Sequence, residues 1–230
     1  LNSQLVSDEE NRKRLNSEGR LLSSLDHKNI VKVYEYGETQ KHSFIAMEYL
    51  SGGTLDDYIK NNFPIPSSEI ISILKQISEG MELIHENNVL HRDLKSQNIM
   101  FDEIGNIRIM DFGLSKSPLV STMTSLGTVI GTLGYVAPEQ ITNVQVDQRT
   151  DIFSFGVVAY QMCTNKLPFT GENEIALIHS IFNTVPPEPK EINPEIPLEL
   201  NSFVKKCLEK NPNDRNGSFK EILILLNQIS

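Results

Sequence analysis

The residues best able to do chemistry lie in one loop. His91-Arg92-Asp93-Leu94-Lys95-Ser96-Gln97-Asn98 sets a carboxylate, a primary amine and a primary amide within eight positions. A carboxylate can take or orient a proton, and an ammonium can offset negative charge on a reacting group. Carboxylate and amide oxygens are hard ligands of the kind Mg²⁺ selects. If the loop runs extended, Asp93 and Lys95 point to the same side, because side chains alternate along extended backbone. A second carboxylate follows thirteen residues after Asn98, in Asp111-Phe112-Gly113, and Ala137-Pro138-Glu139 comes further on. Each triplet alone is a weak signal. Asp-Phe-Gly can be an ordinary turn with a core Phe, and a loop His is more often structural than catalytic. The information is in their order.

The elements around the loop must hold it still. A long helix is expected from about Ser68 to Asn87, with Ile70, Ile73, Leu74, Ile77, Met81 and Ile84 on one face. Val89 and Leu90 lead from it into the loop. Ile99–Phe101 and Ile107–Met110 read as a short hairpin, so Asp111 leaves a strand. Upstream, Ser7-Asp8-Glu9-Glu10 reads as a capping box opening a helix to about Leu25. Strands are expected over Ile30–Tyr36 and Ser43–Tyr49, with a turn at Gly37-Glu38-Thr39-Gln40. Ser51-Gly52-Gly53 breaks the chain, Thr54 caps a short helix, and Phe63-Pro64-Ile65-Pro66 ends it. Asp151–Thr164 is apolar on most faces and reads as a central buried helix. Pro186, Pro187, Pro189, Pro194 and Pro197 mark a long loop, and Leu198–Glu209 and Phe219–Ser230 are amphipathic helices.

Composition sets loose bounds. The 230 residues are 39% hydrophobic and 22% charged, ordinary for a globular chain. A net charge of -9 argues against nucleic-acid binding. Cys163 and Cys207 are the two cysteines, too few for a disulfide framework, so a reducing, cytoplasmic setting fits. The apolar run Ile152–Met162 is too short to span a bilayer. The first residue is Leu, which suggests a fragment or a processed start, and this chain could be the cytoplasmic portion of a longer parent.

The ordered set His-Arg-Asp, Asp-Phe-Gly and Ala-Pro-Glu resembles the signature of Ser/Thr protein kinases, and the resemblance covers essentially the whole chain. It implies an α+β, protein kinase-like bilobal fold with a mainly helical C-lobe. Residues 1-50 would be a remnant of the N-lobe and 51-230 the hinge and C-lobe of a partial kinase domain. The small lobe reads as truncated. No glycine-rich loop precedes Glu18 and no strand there carries a lysine, so the family's first three strands are expected to be absent. Phosphoryl transfer from ATP needs positioning, metal and charge neutralisation more than covalent chemistry. The resemblance implies that Asn98 and Asp111 hold Mg²⁺, that Asp93 orients the incoming hydroxyl, and that Lys95 offsets charge on the phosphoryl group. Lys95 favours Ser/Thr over Tyr substrates.

The same resemblance assigns other positions. Glu18 matches the helix glutamate that pairs with the missing lysine. Met47 matches the residue behind adenine, with Glu48, Tyr49 and Leu50 as the hinge that meets it. Leu22, Val33, His91 and Phe112 match an apolar spine between the lobes. Glu139 and Arg215 match a buried ion pair, and Asp151 the acid that holds the catalytic-loop backbone. The stretch from Gly113 to Ala137 reads as an activation loop. Thr124 and Thr128 are candidate phosphorylation sites answered by Arg92, and Thr132 is expected to bond Asp93 and Lys95. Ser96 stands for the usual Pro, and Phe153 where Trp is common. With half of the ATP site missing, the chain as given is expected to be weakly active or inactive. The alternative is a non-catalytic kinase-like scaffold or binding protein, favoured by the missing lysine and disfavoured by the retained Mg²⁺ ligands. A small-molecule kinase fits less well, because Thr132 and Ala137-Pro138-Glu139 belong to a peptide platform.

Overall fold

The fold is built around a helix whose buried surface carries polar groups as well as apolar ones. The computed structural model describes residues 25–38, 43–111, 132–142 and 146–229. In chain order these give β1 (Val33–Glu38), β2 (Ser43–Met47), α1 (Leu55–Asn62), α2 (Ser67–Glu86), β3 (Ile99–Phe101) and β4 (Ile107–Ile109). Then come α3 (Pro138–Thr142), α4 (Gln148–Thr164), α5 (Glu174–Asn183), α6 (Pro189–Ile192), α7 (Leu198–Cys207) and α8 (Phe219–Gln228). Single 3₁₀ turns lie at Ser96–Asn98 and Pro212–Asp214. No described helix is long and apolar enough to cross a membrane. The expected helix ending at Leu25, with Glu18 and Leu22, lies outside the described residues apart from Leu25, which is buried.

β1 and β2 pair antiparallel, with Gly37 opposite Phe44 and Val33 opposite Met47. β3 and β4 form a second hairpin, with Ile99 opposite Ile109. The first strand starts at Val33, not at Ile30 as periodicity suggested. The backbone before it is claimed by β4: Ile109 N–H donates to Asn29 O and Val31 N–H donates to Ile109 O, both at 2.9 Å. The buried Asn29 side chain adds a bond to Ile107 O at 3.1 Å. This stitch ties the small sheet's lead-in to the large lobe. β2 ends at Met47 rather than Tyr49, whose ring is 88% exposed.

Gly52 and Gly53 join the lobes for steric reasons. A Cβ on Gly52 would lie 2.6 Å from Phe101 O, and Gly53 has φ +79°, where a side chain is strained. Their backbones bond β3 through Gly52 N to Phe101 O at 3.1 Å and Phe101 N to Gly53 O at 3.0 Å. Thr54 then caps α1 by accepting from Asp57 N at 3.1 Å.

α4 begins at Gln148, earlier than apolar spacing indicated, because Asp147 accepts from Arg149 N at 2.9 Å and caps it. Its aromatic residues set the packing. Phe155 meets Phe219 edge-on at 5.3 Å, and Phe153 stacks on Phe169 at 5.8 Å. Burial pushes the thiols of Cys163 and Cys207 up to about 12, which keeps both unreactive. The proline-marked stretch is not all loop. Pro189 occupies the first turn of α6, and the Glu191 carboxylate accepts from Glu188 N–H. Asn173 caps α5, a helix that apolar spacing did not single out.

Arg215 closes this lobe. Its Nε–H donates to Glu209 O, Nη1 to Glu139 Oε1 and Arg149 O, and Nη2 to Glu139 Oε2 and Lys210 O, at 2.6–3.0 Å. All five guanidinium donors are thereby used. The side chain is fully buried and lies over the Phe153 ring. Removing one partner of such a pair strands the other charge, at about 3–5 kcal/mol. Arg215→Ala is therefore expected to lower the thermal midpoint clearly. Arg215→Lys should also lower it, because three donors cannot replace the five-pronged fork. A melt unchanged in both variants would remove the pair from the list of stabilising contacts.

Candidate active site

α2 delivers the chain to the loop, and α4 receives it. Asp151, fully buried in the first turn of α4, accepts from His91 N at 2.9 Å and Arg92 N at 2.8 Å. It also meets His85 Nε2, from the last turn of α2, at 2.8 Å. Burial alone would push its carboxyl up, but the hydrogen bond and attraction of His85, with smaller contributions from His91 and the Arg92 N–H, outweigh that and hold it below its ordinary value. The chain turns immediately after this anchor, where Arg92 sits at φ 65°. Gln140 Nε2 secures the other side of that residue by donating to Arg92 O at 3.2 Å.

His91 is fully buried and its Nδ1 accepts from Asp93 N at 3.3 Å. Burial holds its pKa below the usual imidazole value, against the pull of Asp151 and Asp93. The ring is a neutral spacer beneath the loop.

Asp93, Lys95 and Asn98 converge. Lys95 Nζ lies 2.9 and 3.1 Å from the two Asp93 carboxylate oxygens. Asn98 Nδ2 donates to Asp93 O at 2.8 Å and to Asp93 Oδ2 at 3.0 Å. Asn98 O accepts from Met110 N at 2.9 Å, which draws the strand before Asp111 alongside the loop. Asp111 has φ 57°. Lys95 Nζ also reaches Thr132 Oγ1 at 3.4 Å, and no bond runs from Thr132 to Asp93. Phe112, Thr124 and Thr128 lie outside the described residues.

The hinge positions are distributed differently. Leu50 is buried, and Met47 packs against the core. Glu48 N–H donates to Lys32 O at 2.9 Å, and its carboxylate accepts from Lys32 N at 2.8 Å. A cavity of about 550 Å³ opens behind the loop, lined by His85, Leu90 and Arg149 among others, and includes none of the converging residues. Among the described residues no group of three or more His, Cys, Asp or Glu could hold a metal ion.

Sequence reading did not single out His85, Asp56 or Gln161. All three are polar residues on helices, and nothing in their spacing names the partner each one bonds. Their partners lie up to 105 positions away along the chain.

A protein kinase domain family model matches residues 2–224. The chain belongs to the protein kinase domain family. A probable serine/threonine-protein kinase of Clostridium acetobutylicum is 37% identical over the whole chain, which spans 35% of that protein. The serine/threonine-protein kinase PrkC of Bacillus subtilis is 34% identical over 90% of the chain and 32% of its own length. This kinase chain therefore spans about a third of the curated relatives it matches. Among solved structures, that of Rad53 1-466 in complex with AMP-PNP superposes with a TM-score of 0.78 at 29% identity, over 92% of this chain and 53% of that one. The fold is the α+β kinase fold, and the family-level activity is that of an ATP-using Ser/Thr protein kinase.

Asp151 generates a pH-dependent expectation. A carboxyl held below its ordinary 3.8 when folded gives stability that is present above that pH and lost as pH falls through the lower, folded value. His91, held below 6.5, adds a loss beginning as pH falls under 6.5. Asp151→Asn should melt well below the parent at neutral pH, since its NH₂ would face one of two N–H donors. The gap should narrow below about pH 3.8. Parallel acid titrations of the melts would check it, and a gap independent of pH would rule out the charge as its source.

Proposed function

We propose that this chain transfers the γ-phosphoryl group of ATP to Ser or Thr hydroxyls of protein substrates, with Asp93 receiving or orienting the hydroxyl proton. The observation that carries this is the convergence of Lys95 Nζ and Asn98 Nδ2 on the Asp93 carboxylate. Those contacts fix its orientation. An aspartate so held needs no reorganisation when a substrate hydroxyl approaches. Lys95, between Asp93 and Thr132, is placed to offset charge on the transferring group.

The residues fit a magnesium ion. Asn98 spends its NH₂ on two Asp93 oxygens, which turns its Oδ1 away from them as a free hard donor. With Asp111 this supplies two protein oxygens, as expected for a metal that completes its shell with phosphates and water. Mg²⁺ would neutralise the phosphates there. Adenine would meet the backbone of Glu48 and Leu50, with Met47 behind it. Since the Glu48 N–H is already bonded to Lys32, its carbonyl is the group left to accept.

Arg92 supports regulation. Its Nε is buried and has no hydrogen-bond partner among the described residues. A phosphate on the segment carrying Thr124 and Thr128 would satisfy it with a charge-assisted bond. Glu18, by family position, is the partner for a lysine on a strand that this chain lacks.

The test is transfer from γ-labelled ATP to matched Ser, Thr and Tyr peptides in Mg²⁺. Ser or Thr labelling is expected when the chain is joined to a segment supplying the glycine-rich loop and its lysine, and little labelling without it. Asp93→Asn should cut the rate by ~10²–10⁴ with little change in melting. Preferential Tyr labelling would overturn the roles given to Lys95 and Thr132, and an active Asp93→Asn variant the role given to Asp93.

A further inference from the structure

Behind the converging residues lies a ring of four polar side chains from four separate segments. Asp56, in the first turn of α1, accepts on Oδ1 from Ser96 Oγ at 3.0 Å and from Gln161 Nε2 at 3.0 Å. Tyr135 OH donates to Gln161 Oε1 at 2.6 Å. Ser96 Oγ and Tyr135 OH are 2.9 Å apart. All four residues are buried, Ser96 completely.

The hydrogens can be counted. Asp56 is charged: burial opposes the charge, but bonds from Lys60, Gln161 and Ser96 hold its carboxyl below the ordinary range. It therefore only accepts, which sets the Gln161 NH₂ toward it and the Gln161 oxygen toward Tyr135. Tyr135 gives its one hydrogen to Gln161. Burial, with the Asp56 charge adding to it, pushes that phenol to about 12, so it remains a donor throughout the working range. Ser96 then has one hydrogen facing two oxygens, those of Asp56 and Tyr135. Three hydrogens serve four edges, and the Ser96 hydroxyl is the shared member.

Position gives this ring its consequence. Ser96 directly follows Lys95, and Tyr135 N bonds Thr132 O at 3.2 Å, so the Ser96–Tyr135 edge runs beside the Lys95–Thr132 contact. The catalytic loop and the Thr132–Tyr135 segment are joined directly through Lys95 and Thr132 and, behind them, from Ser96 through Asp56 and Gln161 to Tyr135. We propose that Ser96 is a positioning residue: its hydroxyl, through Asp56, Gln161 and Tyr135, sets the spacing between Lys95 and Thr132. The role rests on the reading of Asp93 and Lys95 given above. It is particular to a chain with a hydroxyl here. Lys95, at φ -155° and ψ 162°, has a backbone compatible with the Pro usual in the family, so the site tolerates a residue that could not close the ring.

Amide hydrogen exchange on this chain tests the proposal without requiring turnover. In Ser96→Ala, the amides of Asn98, Tyr135 and Val136, each bonded within its own turn, should exchange faster, while those in the middle of α4 and α8 should not. Unchanged exchange, or a uniform rise across the lobe, would overturn the proposal, the latter by showing plain destabilisation. Where the parent phosphorylates a peptide, Ser96→Ala and Ser96→Pro should lower kcat by up to about 10²-fold, with KM for ATP little moved. Local loosening with kcat unchanged would refute the positioning role. Asp93→Asn serves as the separating control: it tests the acceptor reading by turnover and should leave exchange around Ser96 and Tyr135 as in the parent.

Discussion

A carboxylate buried at the start of α4 sets the geometry on which the candidate site depends. Asp151 has no solvent to share its charge, so the N–H groups of His91 and Arg92 and the His85 ring must supply what water would. Arg92, directly after the two anchored N–H groups, takes the left-handed conformation and turns the chain there. Such a conformation costs a non-glycine residue about 1–3 kcal/mol and persists only where its surroundings over-determine it. The loop's backbone is thus held from within, while the Asp93 side chain stays partly exposed.

A second anchor acts on the other half of the site. Arg215 and Glu139 fix the start of α3, a few residues after Thr132 and Tyr135. Neither anchor touches the converging residues. Each holds a backbone whose next few side chains do, and the Lys95–Thr132 contact is where the two meet. A half-buried contact at 3.4 Å would be weak alone, but it joins two segments each held by a buried charge.

The parts legible in the sequence are those whose cause is local. The apolar face of α2, the β3–β4 hairpin and the cap at Thr54 each follow from residues within a few positions, and the structure has them nearly where spacing placed them. The order of the acidic motifs was legible for another reason: the family resemblance fixed the partners of Asp151 and Arg215, which spacing alone could not have found. What spacing missed is non-local. Ile30 looked like strand because it is apolar and β-branched, yet β4 had already taken its neighbours' backbone. α5 has few buried residues and a strong cap, so apolar periodicity was the wrong signal for it. The bonds of Asp56 and Gln161 were not legible because a buried polar residue's partner can lie far along the chain.

α4 shows why those distant partners matter together. A helix buried on nearly every side could be wholly apolar at lower desolvation cost. Instead Thr150 bonds Glu139, Asp151 holds the His91–Arg92 backbone, Ser154 donates to Tyr135 O at 2.8 Å, and Gln161 joins Asp56 to Tyr135. Each polar group answers a different segment, and each answer is a direction as well as an attraction. Apolar packing of the same volume would bind these segments as tightly or more so, but hydrophobic contact is non-directional and would let them slide by fractions of an ångström. Phosphoryl transfer loses rate steeply with such displacement. The polar content of the most buried helix is therefore best understood as the means by which a helical core transmits angular precision to a loop that it does not contain.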